Sequence, residues 1–289
     1  MSRINWLQDQ NIFSTVSGAE LNDKVMFLHG LKSGLDITLV NPETQLPKDK
    51  FSIISNYTRF SEEYLQQAVD QGAVFFFHDY IFCKWRLFFP GLPKCRKCEG
   101  ALKHLPLFEK AKGLIYLSPL HKKVYLKQFP SLKKIPSAVI SSAINTKLFD
   151  FDHQKSPENS ALTVNTLLSF KGKNNIIKYI TDHQELNFTV AGHNPDCIEL
   201  PKNAKYIGVQ KYEDIPELFS RHKFYVELPN YGNAAFNRTA AEARLAGCKI
   251  ITNKFLGAAS YPEFRDRKAF KDLIDRAPEN FWRFTIGAI

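Results

Sequence analysis

The stretch NYGNAAFNRTAAEARLAGCKIITN, residues 230–253, decides the fold. Turn formers open it: Pro229, Asn230, Gly232 and Asn233. A small-residue helix is predicted from about Arg238 to Ala246, Gly247 ends it, and CKII (248–251) has the apolar character of a buried strand. With KFYVEL (223–228) in front, this is a strand, a loop, a helix and a second strand, the repeating unit of a parallel α/β sheet. One acid, Glu242, stands among four alanines of that helix, one turn after Arg238.

The same alternation runs outward in both directions. Toward the N-terminus, strands are predicted at INWL (4–7), DITLVN (36–41), FSIIS (51–55), GAVFFFH (72–78), KGLIYLS (112–118) and SAVIS (137–141). Helices are predicted at 18–32, near 61–71 and at 119–129. The polar, proline-bearing run 150–160 suits a linker. Beyond it come strands at 161–168, 187–192 and 204–209, helices at 173–183 and 212–222, and one or two closing helices over 267–286. The expectation is two doubly wound Rossmann-like α/β domains, 1–149 and 161–289, facing a cleft at the C-terminal ends of their strands.

Of the 289 residues, 44% are hydrophobic, enough for a sizeable core. No apolar run approaches the length of a membrane span, and the N-terminus MSRINWLQDQN lacks the apolar region of a signal peptide. Five cysteines, an odd number, fit reduced thiols, so a cytoplasmic location is expected. The net charge is +10, and residues 84–134 hold thirteen Lys/Arg against two acids, an excess as large as that of the whole chain. Such a block points to an anionic partner or, more plainly, to a solvated basic face.

Five short motifs in order carry a resemblance. STVSGAELND (14–23), FFFHDY (75–80), SPLHKKVY with AVISSAINTKLF (118–149), LLSFKGKNN (167–175) and AFNRTAAEARLAGCKII (235–251) are similar to the motifs of the GT-B glycosyltransferases, in particular the retaining family-4 branch. The resemblance implies a GT-B fold and a nucleotide-sugar donor, UDP- or GDP-linked. It implies transfer with retention and no catalytic metal, the leaving phosphate taking the acceptor proton. It also implies that Glu242 binds the nucleotide ribose.

The residue chemistry agrees. A carboxylate accepts two hydrogen bonds, which suits a vicinal diol. Gly18 opens a helix whose N–H groups can approach an anion. Lys171 precedes a helix and Arg238 begins one, so both are candidate diphosphate ligands. His78, at a strand end, is a candidate contact to donor sugar or phosphate. His78, Lys171 and Arg238 are therefore expected to serve catalysis, and Gly18, Asn233 and Glu242 to hold the donor. Glu242→Ala is expected to abolish or strongly weaken nucleotide binding and leave the fold intact. Two positions depart from the family. Its first motif glutamate is Ala234 here, with Asn233 beside it as a substitute, and its phosphate-site arginine is Thr166. The departures leave open a catalytically degenerate binding protein on the same scaffold.

Within the basic block, Cys95 and Cys98 form a C-x-x-C with Cys83 upstream and His104 downstream, a set that suits a structural zinc or leaves free thiols in a basic loop. Aromatic residues interleave the lysines. Lys94, Arg96, Lys97 and Trp85 are the candidate acceptor contacts. Basic groups neutralise phosphates and aromatic faces stack on bases, so nucleic acid is favoured, with a modified DNA base as sugar acceptor, as in virus-encoded DNA glycosyltransferases. The alternative is a peripheral membrane enzyme acting on lipid-linked saccharide, because Trp, Phe and Lys also gather at bilayer surfaces.

Overall fold

The structure is a computed structural model that describes residues 3–48, 50–83, 99–151, 156–230 and 234–289. Trp85, Lys94, Cys95, Arg96, Lys97, Cys98 and Asn233 lie outside the described residues. The chain forms two compact units, Met1–Ile144 with Leu273–Ile289, and Asn145–Asp272.

In the first unit six parallel strands run in the order β2-β1-β3-β4-β5-β6. They are β1 (Arg3–Gln8), β2 (Asp36–Val40), β3 (Phe51–Asn56), β4 (Ala73–Phe77), β5 (Gly113–Tyr116) and β6 (Ser137–Val139). All of β4, AVFFF, is buried, as befits a strand near the middle of a parallel sheet covered on both faces. The helices are α1 (Gly18–Lys32), α2 (Glu62–Asp70), α3 (Glu99–Lys110) and α4 (Pro119–Gln128). Ser61 caps α2 by accepting the Tyr64 N–H, and Ser118 caps α4 by accepting that of His121. The sequence reading placed no element over α3. Pro106 inside it removes a backbone donor and masks the helical pattern, but Ala101, Leu107 and Phe108 still bury one face.

Five parallel strands build the second unit, in the order β11-β10-β7-β8-β9. They are β7 (Ser160–Val164), β8 (Asn187–Ala191), β9 (Ala204–Gly208), β10 (Phe224–Glu227) and β11 (Lys249–Thr252). The helices are α5 (Lys173–Asp182), α6 (Ile215–Ser220), α7 (Arg238–Leu245) and α8 (Arg267–Asp275), whose last turn, from Leu273, is already part of the first unit. Ile176, Ile180, Phe188, Val190 and Val226 form the core under α5.

The closing segment departs from the expected boundaries. The sequence reading gave 161–289 to the second domain, whereas Leu273–Ile289 belongs to the first unit. The cause is α9 (Ala277–Ala288), whose Phe281 and Trp282 pack on Trp6, the Trp282 Nε1–H donating to Met26 O at 2.9 Å. Gly30 lets α1 accept this helix, because a Cβ there would overlap the Trp282 ring and Ile37. Gly30→Ala is therefore expected to cost about 1–3 kcal/mol in a urea titration through overpacking. An unchanged midpoint would mean that α9 does not dock at this position. Among the described residues no helix is long and apolar enough to cross a membrane.

Each sheet reverses its winding once, between β1 and β3 in the first unit and between β7 and β10 in the second. Loops leaving such a pair of strands diverge and open a crevice at their C-terminal ends, where α/β proteins bind ligands.

Candidate functional site

At the reversal point of the second unit, β7 ends at Val164 and leads to Asn165 and a 3-10 turn, Ser169–Lys171. Gly172 follows with φ +93°, a left-handed backbone that favours glycine. It also lacks the Cβ that would overlap Leu228 O, so the turn lies directly on the end of β10. Three asparagines pin it there. Asn230 Nδ2 donates to Ser169 O (3.3 Å) and Asn175 Nδ2 to Leu228 O (3.2 Å). Asn165 Nδ2 donates to both Lys171 O (3.3 Å) and Glu227 Oε1 (3.0 Å). Lys171 is thus exposed on a backbone fixed from three sides.

α7 enters from the other side of the same point. Asn237, left-handed at φ 68°, caps it by accepting the Ala240 N–H at 2.9 Å. Ala240, Ala241, Ala243 and Ala246 are all buried, so the small side chains bring the helix close to the sheet. Glu242 is 2% exposed. Its Oε1 accepts from Arg238 Nε at 2.7 Å and from the Tyr212 hydroxyl at 2.8 Å, and Arg238 Nη2 also reaches the Tyr212 oxygen at 3.3 Å. Among the described residues Oε2 takes no hydrogen bond.

The anion that offsets a cation at this helix N-terminus is therefore Glu242 itself. Burial pulls the Arg238 guanidinium down, but Glu242 and Tyr212 outweigh it and hold it above its ordinary value. Burial, then the negative charge of Glu242, push the Tyr212 hydroxyl up to about 12. The expectation that Glu242→Ala leaves the fold intact is corrected here, because removing it takes the carboxylate of a buried ion pair away from the Arg238 guanidinium.

Sequence reasoning missed Glu227. It is the last residue of β10, 2% exposed, and its Oε2 accepts from the Tyr225 hydroxyl at 3.2 Å. Burial pushes the carboxyl up to about 7, against the hydrogen bond from Tyr225, the charge of Lys171 and the Asn237 side chain, which all act to lower it. Asn165 and Tyr212 were missed as well. An acid inside the apolar run FYVEL was the available signal for Glu227, whereas nothing local marks the other two.

In the first unit His78 follows β4. Its Nε2 lies 2.8 Å from both Asp23 Oδ1 and Ser55 Oγ, and Ser55 Oγ donates to Asp23 Oδ2 at 2.5 Å. Burial opposes the imidazolium, but Asp23, with Asp79 and Glu20, prevails and holds the His78 pKa up. The ring nitrogen available to a ligand is thus Nδ1. Gly18 opens α1 as expected, with Ser17 donating to the Glu20 carboxylate. The basic block is partly neutralised, since Lys103 pairs with Glu62 (2.5 Å) and Lys110 with Asp70 (3.8 Å) on α2.

Of the suggested zinc ligands, Cys83 is a buried free thiol. His104 stacks on Phe108 with its Nδ1 buried and unpartnered. Burial, then Lys103, push its pKa down to about 4, leaving the ring neutral. Among the described residues no three His, Cys, Asp or Glu side chains gather to hold a metal.

No family model matches the sequence, and neither does any curated protein. Solved structures do match. An E. coli trehalose-6-phosphate protein bound with UDP-2-fluoro glucose superimposes with a TM-score of 0.60 at 13% identity, over 99% of this chain and 93% of the other. A trehalose-6-phosphate synthase, studied with bisubstrate glycomimetics for glycosyl transfer with retention, gives 0.60 at 13%, over 99% and 96%. An alpha-glucosyltransferase in complex with UDP and a 13-mer DNA containing a HMU base gives 0.54 at 12%, over 98% and 94%. Two parallel-sheet α/β units over this coverage give the chain the GT-B fold of these glycosyltransferases.

Proposed function

We propose that this chain is a retaining glycosyltransferase that takes its sugar from a nucleotide-sugar donor, with UDP-glucose the first donor to test. The observation that supports the reading is the second unit's reversal point: Lys171 follows β7, and Arg238 and Glu242 follow β10, the two neighbouring strands whose loops diverge there. The neighbours bound to UDP or UDP-sugar support the same reading. Glu242, its Oε1 already held by Arg238 and Tyr212, offers Oε2 to a ribose diol. Lys171 and the N-terminus of α5 supply positive potential for the diphosphate. In the transfer the sugar's anomeric carbon bonds to the acceptor oxygen as its bond to the diphosphate breaks, on the same face. The acceptor's proton passes to the departing phosphate. The protein's part is positioning and stabilising the leaving charge.

The first domain is the proposed acceptor domain, and the acceptor a base of duplex DNA bearing a hydroxyl group. The basic, aromatic block with Lys94, Arg96, Lys97 and Trp85 motivates this, as do neighbours solved with DNA. With Lys103 and Lys110 occupied by α2 acids, the remaining lysines and arginines carry the phosphate contacts. The test is release of UDP from UDP-glucose with and without hydroxymethyl-pyrimidine DNA. No release and no binding of UDP-glucose overturns the proposal. Reversing Lys94, Arg96 and Lys97 to Glu is expected to lower DNA affinity and transfer while sparing UDP-glucose affinity. The unaltered chain's DNA affinity is expected to fall steeply with salt. Binding to anionic vesicles but not DNA would move the acceptor to a lipid surface.

The buried Cys83 thiol and the neutral His104 suit two ligands of a structural zinc, with Cys95 and Cys98 completing a tetrahedral set. About one equivalent of zinc per chain is expected by elemental analysis, lost in Cys95→Ser. Protein prepared without chelator and free of metal would reject the zinc.

A further inference from the structure

Glu227 has no role in the donor contacts above, yet both oxygens of its buried carboxylate are engaged at the reversal point. Through Asn165 Nδ2 it is linked to the carbonyl of Lys171 in the turn. Through Oε2 it accepts from Tyr225 on its own strand. The Asn237 side chain at the start of α7 and the Lys171 ammonium in the turn both act to lower its pKa, against burial. β11 sets Thr252 opposite it in register. Glu242, paired with Arg238, also acts electrostatically on the Tyr225 hydroxyl.

Resting on the donor site proposed above, we infer that Glu227 is a positioning residue for the donor diphosphate. Through Asn165 it fixes the Lys171–Gly172 turn, and it takes up one proton from solvent as the diphosphate binds. The reason is charge. A nucleotide sugar brings two negative charges to the turn, and Lys171 cannot serve both them and Glu227. A buried carboxylate left beside a new anion is disfavoured in its charged form. Glu227 is already near the point of protonation at neutral pH, pushed there by burial. Tyr225, by contrast, is pushed far above its range by burial and stays neutral. Because binding favours the protonated carboxyl, donor affinity is highest below pH 7 and falls as the pH rises above it.

The test is calorimetry with UDP-glucose, whose phosphates are both diesters and do not titrate near neutrality. Titrations in two buffers of different ionisation enthalpy count the protons exchanged. The unaltered protein is expected to take up a proton fraction near pH 7.5 and to lose affinity roughly tenfold between pH 6 and 8.5, as follows when the bound donor raises the pKa of one carboxyl by about one. Glu227→Gln is expected to exchange no such proton and to bind with a flat pH profile, near the affinity of the unaltered protein at pH 6. Asn165→Ala, which cuts the link but keeps the acid, is expected to bind several-fold more weakly at every pH while still taking up the proton. Equal proton uptake in the unaltered protein and Glu227→Gln, or a flat profile in the unaltered protein, overturns the proton role. Unchanged affinity in Asn165→Ala overturns the positioning role. If UDP-glucose binds at no pH, the donor reading itself falls, and this inference with it.

Discussion

Glu242→Ala is expected to lower the free energy of unfolding by about 3–5 kcal/mol, the usual cost of removing one partner of a buried ion pair. The Arg238 and Glu242 side chains are 9% and 3% exposed and 2.7 Å apart. Without the carboxylate a guanidinium remains in a dry site, and the Tyr212 hydroxyl loses its acceptor. The loss is not a measure of the pair's net worth, because replacing both partners by apolar side chains is often close to neutral. Arg238→Leu combined with Glu242→Leu is therefore expected to recover most of the lost stability and still fail to bind UDP-glucose. Urea unfolding reads the first effect and calorimetry the second. A single variant within about 1 kcal/mol of the parent would mean that water reaches the pair. A double variant that binds the donor normally would remove Glu242 from the ribose.

The stretch around Glu242 also shows what a sequence can and cannot reveal. The β-α alternation was legible over most of the chain, since apolar runs such as VFFF (74–77) and the helix-stopping Gly247 are local signals. Gly18, Lys171, Arg238 and Glu242 could be nominated from the sequence because motif spacing is local too. What escaped depends on contacts between distant residues. Tyr212 meets Glu242 across 30 positions, and Asn165 meets Glu227 across 62. His78 was visible as a strand-end histidine, but its tie to Asp23 and Ser55 was not. The destination of the last helix was hidden for the same reason, because Trp282 finds its acceptor 256 positions away on Met26. The helix Glu99–Lys110 escaped for a local reason, the proline within it.

Glu227→Gln is expected to stabilise the protein at pH 8 relative to the parent, and progressively less as the pH falls. Burial holds the folded-state carboxyl at about 7, against an ordinary 4.5. Below pH 4.5 both folded and unfolded chains carry the proton, and the acid costs nothing through ionisation. Between 4.5 and 7 the unfolded chain ionises while the folded one keeps its proton, so stability drains away as the pH rises. Above 7 the loss is complete, and a pKa raised by about two and a half amounts to about 3 kcal/mol. Glutamine cannot ionise, keeps an acceptor for Asn165, and escapes that loss. The difference in urea stability between variant and parent should therefore grow by about 3 kcal/mol from pH 4.5 to pH 8. A difference that stays constant across this range would mean that Glu227 is solvated or permanently paired with Lys171, and would end the case for it as a titrating group. A growing difference would identify an acid that weakens the fold at the strand end facing the crevice, where perturbed carboxyls most often serve a ligand.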